Sequence, residues 1–308
     1  MTLIGSDGTG SDSGGSDSTG PAVVALGGGH GLAATLRAAR RYAGRLTGIV
    51  SVGDDGGSSG KLRADLGMAA PGDLRRCLSA LASEDSLLVE SLEHRFEEGT
   101  LQGHPVGNLL LAGLAMVSGD LQQAIDEVGR LIGADGRIFP ATQVPVTLIA
   151  DSDAGTLAGQ VTIERAAGIH NLRFDPSDPA VSEAAVDAVR TADQVLIGPG
   201  SLFTSVLATA VVPAIREALH DTRAQRVFIV NVANDRAEAR GFGLLEHLDA
   251  LAGHDLKIDA VLAPLGTLSQ GVAIGPITEA DIAAGDGWGH DPKKLGAALA
   301  QLLADRLP

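Results

Sequence analysis

One pattern constrains the fold more than any other: a short apolar run ends in a glycine-rich loop and is followed by a helix-like run. The pattern occurs at residues 23–26 with 27–31, at 46–52 with 53–60, and at 194–197 with 198–205. Short β-branched runs favour buried strands, and glycines at their ends favour strand-to-helix turns. Because strand, glycine loop and helix begin a doubly wound sheet, we expect an α/β fold with a mostly parallel sheet.

The middle of the chain departs from this rhythm. Runs with a period of two occur at residues 146–149, 160–164 and 171–174, and they predict an antiparallel β insertion over about 145–175. Before the insertion, helices are expected at 32–40, 74–82, 84–97 and 121–131. After it, we expect a helix at 180–191, strands at 194–197, 226–232 and 259–263, and a final helix at 293–303, with 259–263 as the last core strand.

The N-terminal segment has a composition of its own. Residues 5–20 alternate Gly, Ser, Asp and Thr with no large apolar side chain, so residues 1–20 are expected to be disordered. Order is expected to begin at Ala22, and no clear linker or internal repeat follows residue 21. We therefore predict one α/β domain over 21–308, and leave open whether the first 20 residues are native or a tag.

Composition and charge exclude several classes of function. The 308 residues carry a formal net charge of −15, which repels a phosphate backbone and argues against non-specific nucleic-acid binding. No apolar run approaches the roughly 20 residues of a membrane span, and the N-terminus lacks the basic and apolar regions of a signal peptide. The single cysteine, Cys77, excludes an internal disulfide and fits a reducing compartment. We therefore expect a cytoplasmic protein with a small-molecule ligand.

The first and third glycine loops have the residue types of a phosphate site. Glycines let backbone N–H groups approach an anion at the start of a helix, where the helix dipole favours negative charge. The first loop is Gly27, Gly28, Gly29, His30 and Gly31; the third has Gly198, Gly200 and Ser201, with Thr204 and Ser205 in the next turn. An ordinary turn without a ligand is the alternative for each loop.

The second loop adds carboxylates and cations to the glycines. Asp54 and Asp55 precede Gly56, Gly57, Ser58 and Ser59, and Lys61 and Arg63 follow. An acid at the carboxyl end of a strand usually binds a ribose hydroxyl, and two adjacent acids can also hold Mg²⁺ through their oxygens. A solvated turn with a helix cap is the alternative. The loop therefore predicts phosphate binding, with either a metal or a ribose at the aspartates.

Polar residues near two later helix starts complete the candidate set. Asp73 is a candidate N-cap, and Arg75 and Arg76 oppose the dipole of the same helix, so we expect at least one of the two to face an anion. Asn108 is expected to cap the apolar helix that follows it. His104, in a loop bounded by glycine and proline, is a candidate acid, base or ligand group, with a structural hydrogen bond as the alternative. Cys77 is expected to be a small apolar helix residue.

These blocks occur in the same order in a known family. Residues 27–32, 53–63, 71–75, 103–104 with 107–109, and 198–201 with 204–205 resemble the YvcK-like gluconeogenesis factors, a family related to 2-phospho-L-lactate transferase (CofD). The resemblance covers essentially everything after residue 21, and His30 and residues 290–292 are similar to actinobacterial members. It implies a Rossmann-like sheet and a nucleotide ligand held by the three loops with Asp73, Arg75, Asn108 and Asn231. Asp54 and Asp55 match the paired aspartates that hold Mg²⁺ in the transferase.

The resemblance implies one of two functions. The first is a regulator without turnover that binds UDP-sugars such as UDP-N-acetylglucosamine and links carbon metabolism to cell-wall precursor synthesis and cell shape; NAD(P) and GDP-type nucleotides are less favoured ligands. The second is a Mg²⁺-dependent transferase acting on a nucleotide-diphospho substrate, with Asp54, Asp55 and His104 as candidate catalytic residues. A homo-oligomer and cell-wall precursor enzymes are the candidate partners. A purely structural α/β protein would have to explain three glycine–hydroxyl loops as turns.

Overall fold

The fold is built on two β-sheets, seen in a computed structural model that describes residues 19–83, 86–233, 237–268, 276–285 and 287–306. The strands are β1 Ala22–Gly27, β2 Arg45–Val50, β3 Arg137–Pro140, β4 Thr147–Ser152, β5 Gly155–Ala158, β6 Ile169–Asp175, β7 Gln194–Ile197, β8 Gln225–Ile229, β9 Ala260–Pro264 and β10 Ile277–Ala280. Seven of them form one sheet in the order β10-β9-β8-β7-β1-β2-β3, and the other three form a sheet in the order β5-β4-β6.

Helices connect the strands. They are α1 Gly29–Ala39, α2 Gly57–Leu66, α3 Gly72–Leu81, α4 Leu87–Glu93, α5 Val106–Ser118, α6 Leu121–Ile132, α7 Gln160–Arg165, α8 Glu183–Arg190, α9 Ala208–Ala210, α10 Pro213–Asp221, α11 Leu244–Gly253 and α12 Pro292–Ala304. A π-helical turn, Leu202–Leu207, precedes α9. Within the described residues, no single helix is long and apolar enough to cross a membrane; Leu202–Ala210 and Pro213–Asp221 reach that length and composition only as a bent pair.

All the pairings in the large sheet are parallel. From β1 the chain builds outward to β2 and β3, and it then returns to pair β7 against the other side of β1. The order of the strands therefore reverses between β1 and β7, which is the place where doubly wound sheets bind ligands. The predicted mostly parallel α/β fold is confirmed.

Apolar cores cover both faces of the sheet. In β1, which is buried throughout, Val24 and Leu26 point into one core, while Val23 and Ala25 point into the other. This alternation explains why the strand is a continuous apolar run, as expected when helices lie on both faces. Gly296 of α12 lies so close to α1 that a Cβ there would be 2.6 Å from the carbonyl oxygen of Ala38.

The antiparallel insertion is confirmed, but one of its predicted strands is wrong. Residues 160–164 form helix α7, and the strand that pairs with β4 is Gly155–Ala158. The β-branched residues of this segment favour a strand locally. The carboxylate of Asp55 overrides that preference, because it accepts hydrogen bonds from the backbone N–H groups of Gln160 and Val161.

Other boundaries also differ from the prediction. Strand β9 is not the last core strand, since β10 pairs with it in parallel. The polar, half-exposed sequence of β10 lacks the apolar run that marks the other strands. Helix α4 covers Leu87–Glu93 rather than 84–97, of which residues 84 and 85 lie outside the described part of the chain. Disorder is predicted for residues 1–20, and residues 1–18 also lie outside the described part of the chain.

Candidate functional site

The loops after β1 and β7 touch at the carboxyl edge of the sheet. A Cβ on Gly31 would be only 2.2 Å from the carbonyl oxygen of Pro199. A Cβ on Gly28 would be 3.4 Å from the hydroxyl oxygen of Ser205. Because no real side chain could lie 2.2 Å from a carbonyl oxygen, Gly31 allows the first turn of α1 to pack on the β7 loop.

The loop after β2 joins this pair through the start of α3. A Cβ on Gly72 would be 2.3 Å from the hydroxyl oxygen of Ser59 and 3.6 Å from the carboxylate of Asp54. Gly57, at the start of α2, has φ of +48°, a conformation that favours glycine. Neither Gly28 nor Gly56 supplies a side-chain cap, so α1 and α2 begin without a cap from their own N-cap residues.

Asp73 does not cap its own helix, so that prediction is wrong. The N-cap of α3 is Pro71, and Asp73 lies in the first turn with its carboxylate directed at α1. The carboxylate accepts the N–H of Gly29 at 2.7 Å and a hydrogen bond from Arg76 at 2.6 Å. Burial raises the pKa of Asp73, Arg76 opposes the increase, and nearby Asp54 adds to it. The start of α1 therefore already faces an anion that the chain itself provides.

Asp54 and Asp55 have different surroundings although they are adjacent. One oxygen of Asp54 accepts the N–H of Gly56 at 2.9 Å, within its own loop. Asp55 instead accepts the N–H groups of Gln160 at 3.0 Å and Val161 at 2.9 Å. The two carboxylates therefore diverge, and Asp54 shares its side of the loop with Asp73 rather than with Asp55. Among the described residues no group of three His, Cys, Asp or Glu side chains could hold a metal ion.

Ser58 lies between two of the other predicted site residues. Its hydroxyl is 2.9 Å from Nδ1 of His104 and accepts a hydrogen bond from the amide of Asn108 at 3.1 Å. The predicted capping role of Asn108 is wrong, because the N-cap of α5 is Pro105 and Asn108 lies buried inside the helix. His104 and Asn108 thus orient Ser58 at the start of α2.

Two of the three predicted basic residues, Arg63 and Arg75, are bound to other parts of the chain. Arg63 donates to the hydroxyl of Thr147 in the insertion at 3.1 Å. Arg75 is buried and pairs with Glu93 at 3.1 Å; burial lowers the pKa of Arg75, and Glu93 opposes that change. Lys61, in contrast, is exposed on α2. The anion expected beside Arg75 is therefore a carboxylate of the protein.

The third loop is held by side chains from the strand and loop beside it. Asn231 accepts the N–H of Gly200 and donates to its carbonyl oxygen, both at 2.9 Å. The hydroxyl of Ser201 is hydrogen-bonded to Thr204 and to the buried carboxylate of Glu238. Asn231 thus fixes the shape of the Gly200 loop through its side-chain amide.

A cavity of about 280 Å³ opens at the reversal of strand order. Its walls include His30, Gly31, Gly200, Asn231, Trp288 and His290, and the described residues that line it include no Asp, Glu, Lys or Arg. Nε2 of His290 donates to the carbonyl oxygen of Val230 at 3.0 Å, which leaves Nδ1 as an acceptor. Burial lowers the pKa of His290, so the ring is neutral at neutral pH.

The sequence prediction missed Trp288 and His290 as site residues. They belong to the turn before α12, about 90 positions after the Gly198 loop, and no spacing rule connects the two. One signal could have indicated Trp288: it is the single tryptophan of a chain with only 3% aromatic residues. Its side chain is 71% exposed at the cavity.

Comparisons with known proteins agree with one another. The family model described as "2-phospho-L-lactate transferase CofD" matches residues 23–274. A gluconeogenesis factor by name from Mycobacterium leprae is 42% identical over 311 residues, covering 91% of this chain and 85% of its own. The "Gluconeogenesis factor" of Halalkalibacterium halodurans is 40% identical over 235 residues, covering 75% and 73%.

A solved structure shows the same fold. A member of the UPF0052 family from Bacillus halodurans superimposes with a TM-score of 0.85 at 31% sequence identity, covering 92% of this chain and 99% of that one. With the family match over residues 23–274, this likeness extends to nearly the whole described fold. The chain belongs to the CofD family, and within it to the group that contains the gluconeogenesis factors.

Proposed function

We propose that this protein binds a nucleotide sugar of the UDP-N-acetylglucosamine type at the carboxyl edge of its parallel sheet. The observation that carries the proposal is the cavity of about 280 Å³ between the β1 and β7 loops, whose described lining residues include no charged side chain. The start of α2, where Gly56 supplies no side-chain cap, offers backbone N–H groups for an anion. An uncharged cavity suits a planar base, and helix starts suit phosphates. The ligand thus has one uncharged end and one anionic end.

The base is assigned to the cavity. Trp288 offers an aromatic face for stacking, and Nδ1 of the neutral His290 offers an acceptor for a ring N–H. Uracil has such an N–H group, which supports the choice of a uridine nucleotide. The small residues Gly31 and Gly200 leave room for a flat ring.

The diphosphate is assigned to the start of α2. Ser58 and Ser59 provide hydroxyls there, and exposed Lys61 provides a mobile cation on the next turn. The start of α1 is a poorer phosphate site, because the carboxylate of Asp73 already accepts the N–H of Gly29. This supports placing the two parts of the ligand separately, with the base in the cavity between the β1 and β7 loops and the diphosphate at the start of α2.

We infer a regulatory role without turnover, in the cytoplasm. The names of the mycobacterial and Halalkalibacterium relatives support a connection with gluconeogenesis. A protein that binds a cell-wall precursor nucleotide could couple carbon supply to wall synthesis and cell shape by changing partners when the ligand is bound. Enzymes of precursor synthesis are the partners proposed for that output.

Calorimetry tests the binding proposal. UDP-N-acetylglucosamine and UDP are titrated into the unmodified protein and into the Trp288→Ala, Ser58→Ala and Ser91→Ala variants. We expect both ligands to bind, and Trp288→Ala and Ser58→Ala each to weaken binding about tenfold, the worth of a stacked base or a hydrogen bond to a charged group. Ser91 bonds within α4, so its variant is the matched control. No heat with any nucleotide would refute the proposal.

A Mg²⁺-dependent transferase is the second candidate, favoured by the description of the matching family model and by the carboxylate of Asp54. Mg²⁺ commonly uses one or two carboxylates together with substrate phosphates, so Asp54, with Asp73 close by, fits an ion that arrives with a nucleotide. A bound Mg²⁺ would neutralise charge on the departing nucleotide. Asp54, Ser58 and Ser59 would orient the diphosphate beside it.

The transferase is tested with a guanylyl phospholactate donor, a deazaflavin acceptor and Mg²⁺, so that the acceptor hydroxyl takes the phospholactyl group and the guanylate leaves. Asp54→Asn should abolish Mg²⁺-dependent turnover. Asp55→Asn retains one of the two acceptors for the N–H groups of α7 and should reduce turnover much less than Asp54→Asn does. Absence of turnover in the unmodified protein would remove this candidate and leave the binding proposal intact.

A further inference from the structure

Helix α5 is more apolar than its exposure would lead one to expect. Its 13 residues, from Val106 to Ser118, include no charged side chain. Helices that are apolar on every side are normally buried. Yet Met116 is 67% exposed and Val117 is 89% exposed. Helix α4, which packs against α5, also exposes Leu87 and Leu88.

The exposed residues of α5 form one face. Exposed Gly113, Met116 and Val117 lie four, seven and eight residues after half-buried Leu109, which places the four on one side of the helix. Nothing lies within 4 Å of a Cβ built on Gly113, so this side is open where a partner could approach closely. Helix α5 is about 18 Å long. Met116 and Val117 lie near its end, whereas Asn108 lies near its start.

A groove runs beside this face. It has a volume of about 320 Å³ between α5 and α6. Leu114, Val117 and Ala124 give it an apolar strip, and the rest of its lining is polar: Ser118, Gln123, Asp126, Glu127 and Arg130. Arg130 is paired with Glu127, and Arg137 with Asp126, so the groove has no excess of positive charge among these residues.

The charge around the face is negative. From residue 86 to 132, which covers α4 to α6, the sequence has seven acids and the bases Arg95 and Arg130. Arg75 and Arg137, from outside this range, pair with Glu93 and Asp126, so the seven acids exceed these four arginines by three. A second copy of a chain with a net charge of −15 would bring two such acidic surroundings together. An anionic membrane surface would be repelled in the same way. A basic partner is attracted.

We propose that the α5–α6 face binds an amphipathic helix of another protein, with apolar anchors in the groove and Lys or Arg residues along its flanks. Helices dock into apolar grooves through anchors spaced at i, i+3, i+4 and i+7, and flanking charges select the partner. Val117 and Leu114 would contact the anchors, and Glu90 and Asp120 would face the basic flanks. This inference does not depend on which ligand occupies the sheet edge.

Fluorescence anisotropy with two labelled helical peptides tests the proposal. One is built of leucine and lysine, and the other has the same leucine pattern with glutamate in place of lysine. The protein should bind the first and not the second. A Met116→Ser, Val117→Ser double variant should bind the first at least tenfold more weakly, while Leu265→Ser, an exposed leucine outside the face, should bind it as the unmodified protein does.

Serine leaves the net charge unchanged, so general attraction between the acidic protein and the basic peptide is the same in every variant. Equal affinity of the double variant and the control would therefore overturn the proposal. Sedimentation velocity provides the other decisive outcome. If the unmodified protein is a dimer that the double substitution dissociates, a second copy covers the face and the proposed partner is wrong. Unchanged thermal unfolding of the double variant would show that it remains folded.

Discussion

At the residue scale, Asp73 combines burial with a neighbouring carboxylate. Its side chain holds the N–H of Gly29 and the guanidinium of Arg76, with Asp54 nearby. Burial is the largest cause of its raised pKa, and Asp54 adds to it. Charging this carboxyl therefore costs more free energy in the folded protein than in water. That cost is consistent with a role at the site rather than with stability alone.

The raised pKa of Asp73 predicts an unusual pH dependence. Between the ordinary value of 3.8 and the raised value, the folded state retains a proton that the unfolded state releases. The free energy of unfolding should therefore fall, relative to that of Asp73→Asn, as pH rises through this interval. Urea denaturation of both proteins at a series of pH values measures the difference. Parallel pH profiles would contradict the assignment, and Asp54→Asn should reduce the effect.

At the element scale, helix α7 depends on a residue more than a hundred positions away. Its N-cap is Gly159, which has no side chain, and Asp55 supplies the missing acceptors across the gap between loop and insertion. The contact also fastens the β2 loop to the small sheet. Arg63 adds a second link between the same two parts through Thr147.

Removing the carboxylate of Asp55 should loosen α7. Asp55→Ala is expected to lower the free energy of unfolding by about 1 kcal/mol, as for the loss of a helix cap. Hydrogen exchange at the amides of Gln160 and Val161 should become faster, while the amides of β1 keep their protection. Asp55→Asn retains one of the two acceptors, so its effect should be intermediate. Unchanged exchange in Asp55→Ala would show that the capping bonds contribute nothing.

The same contact shows where prediction from sequence succeeds and where it fails. Strands β1 and β7 were predictable because burial on both faces imposes a short β-branched run. Helix α7 was not, because the side chain that decides its conformation lies elsewhere in the sequence. Strand β10 was missed because an exposed polar edge strand has no apolar signature.

The candidate site, too, was only partly predictable from the sequence. The glycine loops were visible because close approach, as at Gly31, requires the absence of a side chain. Asp73 and Asn108 were recognised as polar residues near helix starts, but their partners, Gly29 and Ser58, belong to other elements. Trp288 and His290 reach the cavity only through the packing of α12.

At the scale of the whole molecule, a buried amide network joins the two ends of the chain. Gln194 accepts a hydrogen bond from the hydroxyl of Tyr42 at 2.6 Å and donates to Gln225 and to the carbonyl oxygen of Leu299. Burial raises the pKa of Tyr42, so its hydroxyl remains a donor. The network connects the segment after α1 with β7, β8 and α12.

Gln194→Ala should therefore destabilise the whole fold. The substitution leaves several buried polar groups without a partner, and we expect a loss of about 3 kcal/mol in the free energy of unfolding, measured by urea denaturation. Gln301→Ala on α12 is the matched control, because Gln301 is exposed and bonds only to Asp305 among the described contacts. That control should change stability by less than about 0.5 kcal/mol. Equal losses in the two variants would contradict a structural role for the network.

The position of Trp288 allows ligand binding to be followed by fluorescence. It is the only tryptophan in the chain, and its indole is largely in water beside the cavity. Its emission is therefore that of one solvated ring, without a background from others. A planar molecule entering the cavity changes the solvation of that ring, so the protein carries its own optical indicator of occupancy. Screening for the natural ligand then needs neither a label nor an assay of activity.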